Sequence, residues 1–215
     1  LLSGRKPADR LTLAMYCPSC EHRLVAGQDR CDLCGFHMGK LDARYGSQIM
    51  AMDQISDTTH FLRIHDRDHL LDSMDTFEVQ FPQLYPAIYI AELPAETKLP
   101  EFATWLINRA RVSVLDELRP SENTYLFVID LTSRSMTITC GYFAEQFVSE
   151  NDLRELLEDA SPYIAAGDLR EGLGKLIENL RLILRRNYRL LLKSMKPGGP
   201  LATRDPGKPL LDPTE

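Results

Sequence analysis

Residues 124–142 read Thr-Tyr-Leu-Phe-Val-Ile-Asp-Leu-Thr-Ser-Arg-Ser-Met-Thr-Ile-Thr-Cys-Gly-Tyr. Thr124 to Leu131 is a mostly apolar run, the mark of a strand buried on both faces. From Arg134 to Tyr142 the pattern alternates, with Met136, Ile138 and Cys140 on one side and Thr137 and Thr139 on the other. Only Thr132 and Ser133 lie between the two runs, which predicts an antiparallel hairpin.

Upstream, Tyr85 to Leu93 forms another strand, ended by Pro94. Phe102, Leu106, Ala110 and Val114 recur at helical spacing and predict a helix over about 101–117. A strand, a helix and a strand in that order predict a right-handed crossover with strands 85–93 and 124–131 parallel. Leu70, Met74, Phe77 and Phe81 predict a helix over about 67–80, with Asp66 or Asp68 as its cap and Pro82 as its stop. Downstream, Ser149-x-x-Asp152 reads as a capping box for a short helix that Pro162 ends. Gly167-Asp168 then caps a long helix with Leu169, Leu173, Leu176, Ile177, Leu180 and Leu184 on one face. These elements add up to an α/β fold, a three-layer α/β/α sandwich with a mixed sheet.

A small module precedes that domain. Cys17, Cys20, Cys31 and Cys34 form C-x2-C-x10-C-x2-C. Each pair can aim two thiolates from one tight knuckle, and the spacer lets a short hairpin bring the second pair back to complete a tetrahedral shell. Gly27, Gln28 and Asp29 suit the turn, and Gly35 follows the last cysteine where the backbone needs freedom. Four thiolates around one zinc leave no open position, so the expected Zn2+ is structural. The alternative is two disulfides in an exported protein. His22 and His37 stand close by and read as bystanders to a full set of four. A ribbon this short takes its folding energy from the metal. Zinc-bound thiolates favour a reducing compartment, so a cytoplasmic location is expected. The chain opens on Leu1, which leaves a targeting segment upstream open.

The 215 residues carry a formal net charge of −6, unevenly spread. Residues 41–180 hold eleven Lys/Arg against twenty-four Asp/Glu, whereas residues 181–215 hold eight against three. The acidic middle repels nucleic-acid phosphates, and the ribbon is only weakly basic with few aromatics, which argues against a nucleic-acid partner. The expected organisation is a flexible 1–10, a zinc ribbon over 11–38, a linker with short local structure over 39–60, an α/β domain over 61–180, a basic helical extension over 181–196, and a disordered tail over 197–215. Arg181, Arg185, Arg186, Arg189, Lys193 and Lys196 accompany no acid in that extension, while Leu182, Leu190, Leu191 and Leu192 make it apolar on more than one side. Such a helix calls for a cover: the acidic domain itself, a protein partner, a second copy of the chain, or peripheral contact with an anionic membrane.

In an open α/β sheet, ligands bind beyond the carboxyl ends of the parallel strands. Glu92 and Asp130 stand at that edge, with the start of helix 101–117 and Arg134. The approach to the first helix adds Asp57, Asp66 and Asp68. Converging carboxylates suit a hard cation, so Asp57, Glu92 and Asp130 are candidate ligands for Ca2+ or Mg2+. His65 and His69, four apart, and His60 read as polar residues of the helix entry rather than as transition-metal ligands. Cys140 reads as a core thiol.

Three stretches carry a family resemblance: Asn123-x2-Leu126-Phe127-Val128-Ile129-Asp130, Cys140-Gly141-Tyr142-Phe143-Ala144-Glu145, and Pro162-x4-Gly167-x4-Gly172-Leu173. In order and spacing they resemble the TPM domain, named for thylakoid, phosphatase and MOLO proteins, over roughly residues 50–185. Phe143 and Thr124 stand where that family usually has glycines. The resemblance implies an acidic rim that binds divalent ions. It also makes Asp57, in Ile-Ser-Asp, and Asp130 the best candidates for a catalytic role, since some members are acid phosphatases. Two functions are therefore expected: a non-catalytic protein-interaction module with an acidic cation rim, or a metal-assisted hydrolase of phosphate esters in which Asp57 and Asp130 act with the ion.

Overall fold

A computed structural model describes residues 15–24, 28–112 and 121–194. Its centre is a four-stranded sheet in the order β4 (Ile55–Asp57), β5 (Tyr85–Ala91), β7 (Thr124–Asp130), β8 (Ser135–Cys140). β5 runs parallel to both β4 and β7, and β8 returns antiparallel to β7, pairing Tyr125 with Cys140 and Asp130 with Ser135. The mixed sheet and the hairpin are as the sequence predicts.

Every residue of β7 is buried. Tyr125, Phe127 and Ile129 face one helical layer, with Ile88 and Ile90 of β5 beside them. That layer is made of α2 (Ile64–Gln80), α4 (Glu150–Ala166) and α5 (Leu169–Ser194). Leu126, Val128 and Ala87 face the other layer, made of α3 (Leu99–Arg109) and α1 (Met38–Tyr45). The period of two in a continuous apolar run thus feeds both cores at once.

The segment 39–60, read as a linker with short local structure, holds most of α1 together with β3 (Met50–Met52) and β4, and β4 is an edge strand of the main sheet. The helix predicted over 101–117 ends at Arg109. Ala110–Val112 is instead a strand, β6, paired in parallel with β3. Ala110 is buried in the strand, and an apolar residue at that position fits the helical pattern as well, so the pattern did not discriminate. Residues 113–117 lie outside the described residues. No side chain caps α2: Arg63 precedes it, and Asp66 lies in its first turn, 3.7 Å from the Arg170 guanidinium.

Pro162 does not end α4. The helix continues to Ala166, with Pro162 on its solvent face. The carbonyl that loses its partner there belongs to the exposed Glu158, where water can satisfy it. The stop is Gly167, at φ 82°, whose N–H and that of Asp168 donate to the last carbonyls. Ser149 and Asp152 form the predicted capping box, and Arg186 and Asn187 of α5 also reach Asp152.

Candidate metal centre and carboxylate rim

β1 (Met15–Tyr16) and β2 (Arg23–Leu24) form a two-stranded antiparallel ribbon around the first knuckle. The two knuckles repeat one backbone pattern. Cys17 N–H donates to His22 O and Glu21 N–H to Cys17 O; Cys31 N–H donates to Phe36 O and Gly35 N–H to Cys31 O. The residue after each second cysteine is left-handed: Gly35 at φ 65° and Glu21 at φ 58°.

The four Sγ atoms lie within 4.8 Å of one another. Cys17 and Cys34 Sγ are 3.5 Å apart, and Cys20 and Cys31 Sγ are 3.7 Å apart. Zinc–sulfur bonds of about 2.3 Å in a tetrahedron set S–S edges of about 3.8 Å, whereas a disulfide needs about 2.05 Å. The donor set therefore fits one tetrahedral ion and not two disulfides. Among the described residues this is the one such cluster of metal-ligating side chains, and neither His22 nor His37 joins it.

The free thiols differ in acidity. For Cys34, burial pushes the thiol up, but the Phe36 N–H and the thiols of Cys20, Cys17 and Cys31 outweigh it and bring it down to about 7. For Cys20, the His22 N–H pulls down, while burial and the three other thiols push it up to about 12. An ion that needs all four as thiolates must displace protons, so its affinity falls as pH falls.

The ribbon is built into the domain. Cys17, Cys31 and Phe36 share a core with Leu41, Met52, Phe102, Trp105 and Leu106. The Arg109 guanidinium grips Asp42 of α1 through Nε at 2.8 Å and a second nitrogen at 2.5 Å, and holds that carboxyl below the usual range. Trp105 Nε1 donates to Gly46 O at 2.8 Å. None of these couplings has a motif that sequence reasoning could have used. Glu21 carries a direct expectation. A left-handed non-glycine residue costs about 1–2 kcal/mol, part of which glycine's extra freedom in the unfolded chain cancels. Glu21→Gly should therefore stabilise the knuckle by about 0.5–1 kcal/mol, read as a higher chelator concentration for half-removal of the metal.

At the carboxyl end of the sheet the acids do not gather. Asp57 and Asp130 end β4 and β7, the two strands flanking β5, so their backbones are about 10 Å apart at an ordinary strand spacing. Asp57 turns inward on its own loop, and Asp130 on its own loop and on the segment after β5. Asp57 Oδ1 accepts from Thr59 N at 3.1 Å and Thr59 Oγ1 at 2.8 Å, and Oδ2 from Leu62 N at 2.8 Å. Asp130, only 7% exposed, accepts from Leu93 N, Thr132 N, Ser133 N and Ser133 Oγ. Burial alone would raise both carboxyls, but these donors overcome it and hold both below the usual range. Glu92 is exposed and adds no third ligand. His60, His65 and His69 are exposed as well, and His65 sits 3.8 Å from Asp66. Burial pushes the Cys140 thiol up, with Glu145 adding to the shift, which suits a core thiol and not a nucleophile.

No protein-family model matches the chain, and no curated protein does. Among solved structures it is similar to the N-terminal domain of the cg2496 protein of Corynebacterium glutamicum, with 12% identity and a TM-score of 0.48, over 60% of this chain and 78% of that one. It is also similar to the BA42 protein of the psychrophilic bacterium Bizionia argentinensis, with 13% identity and a TM-score of 0.49, over 61% of this chain and 86% of that one. A third is the N-terminal domain of a P. gingivalis protein, with 15% identity and a TM-score of 0.49, over 63% of this chain and 84% of that one. The TPM resemblance rests on its three sequence stretches. No described helix is long and apolar enough to cross a membrane.

Proposed function

We propose that the chain is a TPM-like α/β module stiffened by a structural zinc in its four-cysteine ribbon, and that it works by binding a protein partner, not by catalysis. One observation carries this reading. The two carboxylates placed where an open α/β sheet does its chemistry, Asp57 and Asp130, spend their oxygens on backbone N–H groups: Asp57 on its own loop, and Asp130 on its own loop and on Leu93 after β5. They brace the ends of β4 and β7. The closed shell of four thiolates likewise favours architecture over reaction. The basic half of α5 is the binding surface of this reading: Arg185, Tyr188 and Arg189 are exposed, and so is Leu182.

The test is turnover of a phosphate ester with and without Mg2+ or Ca2+, in the wild-type chain and in Asp130→Asn. The expected result is no turnover above buffer in either. A metal-dependent, saturable rate that Asp130→Asn abolishes while keeping its fold would establish the hydrolase instead. Asp130→Asn should still have a cost. The amide nitrogen replaces one acceptor, so about 1–3 kcal/mol of stability is lost. The sign of the pH dependence follows from the lowered carboxyl. Its contribution is complete above about pH 4, the unfolded value, and is lost as pH falls through the folded value. Acid unfolding curves of the variant should therefore be flatter than those of the wild type below about pH 4.

A further inference from the structure

Between the loop after α2, the turn after β8 and the basic half of α5 lies a groove of about 490 Å3. Much of its lining is apolar: Phe81 from the loop after α2, Phe143 and Phe147 from the turn after β8, and Leu184 and Tyr188 from α5. The three phenylalanine rings are half-buried, and Tyr188 is exposed. Arg185 and Arg189 also line the groove, and among the described residues no acid does. Their neighbours are spent, Arg186 on Asp152 and Arg181 on Glu178. Arg185 and Arg189 make no ion pair with a described residue.

Rings that stand half in water gain from an apolar side chain that inserts among them and sheds its own water. A guanidinium group without a partner takes a carboxylate, with two parallel hydrogen bonds. Arg185 and Arg189 are four apart on α5, about 6 Å along its axis. They match two carboxylates at that separation, two residues apart in an extended segment or four apart on a helix. Elsewhere the domain turns such a segment away. Residues 41–180 hold eleven Lys/Arg against twenty-four Asp/Glu, so the two arginines form a basic spot beside an acidic body, and an acidic segment is steered to them. A bilayer is the poorer match. Its flat surface does not follow the rings into the groove, and among the described residues only two cations line it, where anionic lipid calls for a cluster of about four or more. We infer that this groove binds an acidic–aliphatic segment of a partner protein, with one or two large apolar side chains among Phe81, Phe143, Phe147 and Tyr188 and two carboxylates on Arg185 and Arg189. The inference rests on the interaction reading and adds to it the chemistry of the partner and the place where it sits.

Random peptides of about twelve residues, displayed on phage and selected against the full chain, test the inference. The recovered sequences should share one or two large apolar residues and two Asp or Glu two or four places apart. A synthetic peptide of that consensus should bind Arg185→Glu/Arg189→Glu at least about tenfold more weakly than the wild type, and Tyr188→Ser at least about threefold more weakly. Its counterpart with both acids changed to Lys should prefer Arg185→Glu/Arg189→Glu to the wild type by at least about tenfold. Urea midpoints of both variants should stay close to that of the wild type, since the altered side chains are exposed. The absence of such a consensus, binding that neither variant weakens, or a counterpart without that preference would overturn the inference. Peptides recovered at another surface would do so while leaving the interaction reading in place, whereas metal-dependent phosphate-ester turnover lost in Asp130→Asn would count against that reading and leave the peptide result standing. Sedimentation with phosphatidylserine–phosphatidylcholine vesicles that Arg185→Glu/Arg189→Glu abolishes, in place of peptide binding, would give the groove to a membrane and overturn the inference as well.

Discussion

Removing the metal is expected to unfold the ribbon and loosen the helical layer beneath it, while the sheet and the layer of α2, α4 and α5 stay folded. Structural zinc supplies about 10–16 kcal/mol of apparent folding energy to an isolated finger. Here the ribbon also adds Cys17, Cys31 and Phe36 to the core under α1 and α3. The knuckle amides of Cys17, Glu21, Cys31 and Gly35, each bonded inside its knuckle, should exchange at least about a hundredfold faster after chelation. Amides of β7 should change far less: Leu126 and Val128 face the loosened core, but Tyr125, Phe127 and Ile129 face the other one, and the strand keeps its pairing with β5 and β8. Cys31→Ser should give the same pattern without a chelator and should drop bound zinc from one equivalent per chain to a small fraction. Unchanged knuckle exchange after complete metal removal would show that the ribbon is held by its packing alone.

Gly141→Ala should be the most damaging small substitution in the α/β domain. A Cβ on Gly141 would lie 2.0 Å from Ser121 O and 2.5 Å from the carbonyl carbon and oxygen of Glu122. These are backbone atoms, fixed by the bonds from Gly141 N–H to Thr124 O and from Phe143 N–H to Glu122 O. Relief would have to come from separating the end of β8 from the turn that feeds β7, at a cost of about 3 kcal/mol or more. Gly174→Ala makes the contrast. No atom lies within 4 Å of its Cβ position, and it sits inside α5, so the exchange should stabilise by about 1 kcal/mol. Urea midpoints of the two variants, with unchanged slopes, check both signs.

Gly141 also shows what could be read in the sequence. Its place in the Cys140-to-Glu145 stretch marked it as part of a recurring turn, but the cause is a close backbone approach that composition does not reveal. Gly172, in the third stretch, is similar: a Cβ there would press on Ile164 and Tyr163, so the glycine lets α4 and α5 meet. The strands were legible because Tyr85–Ala91 and Thr124–Asp130 are long apolar runs with a period of two. β4 was not, since Ile55-Ser56-Asp57 is too short to show a period and takes its order from pairing with β5. The end of α3 was missed because Ala110 satisfies the helical pattern and the strand equally well, and the deciding partner, β3, lies some sixty residues upstream. Pro162 was misread because a proline on a solvent-facing helical turn costs less than one facing the core.

The candidate site divides in the same way. Cysteine spacing is a property of the chain, so the thiolate cluster could be placed from sequence. An aspartate at the end of a strand reads equally as an ion ligand or as a loop brace. Backbone N–H donors decide between the two, and they have no letter in the sequence. That ambiguity produced the expectation of a cation rim over Asp57, Glu92 and Asp130. In the structure Asp57 accepts from its own loop, and Asp130 from its own loop and from Leu93 after β5. Truncation before Arg181 is likewise a poor probe of the basic helix, because Ile183 and Leu184 lie in the core and Asn187 donates to Phe147 O at 2.8 Å. Charge reversal at Arg185 and Arg189 leaves those contacts in place.

The central claim is that the ribbon is a closed, all-thiolate structural zinc centre joined to the α/β core. X-ray absorption at the zinc edge on the purified full chain tests it most directly. The account predicts one zinc per chain with four sulfur neighbours at about 2.3 Å and no nitrogen or oxygen in the shell. Three or fewer sulfurs with a histidine or water ligand, or a metal-replete chain with no bound zinc, would contradict it.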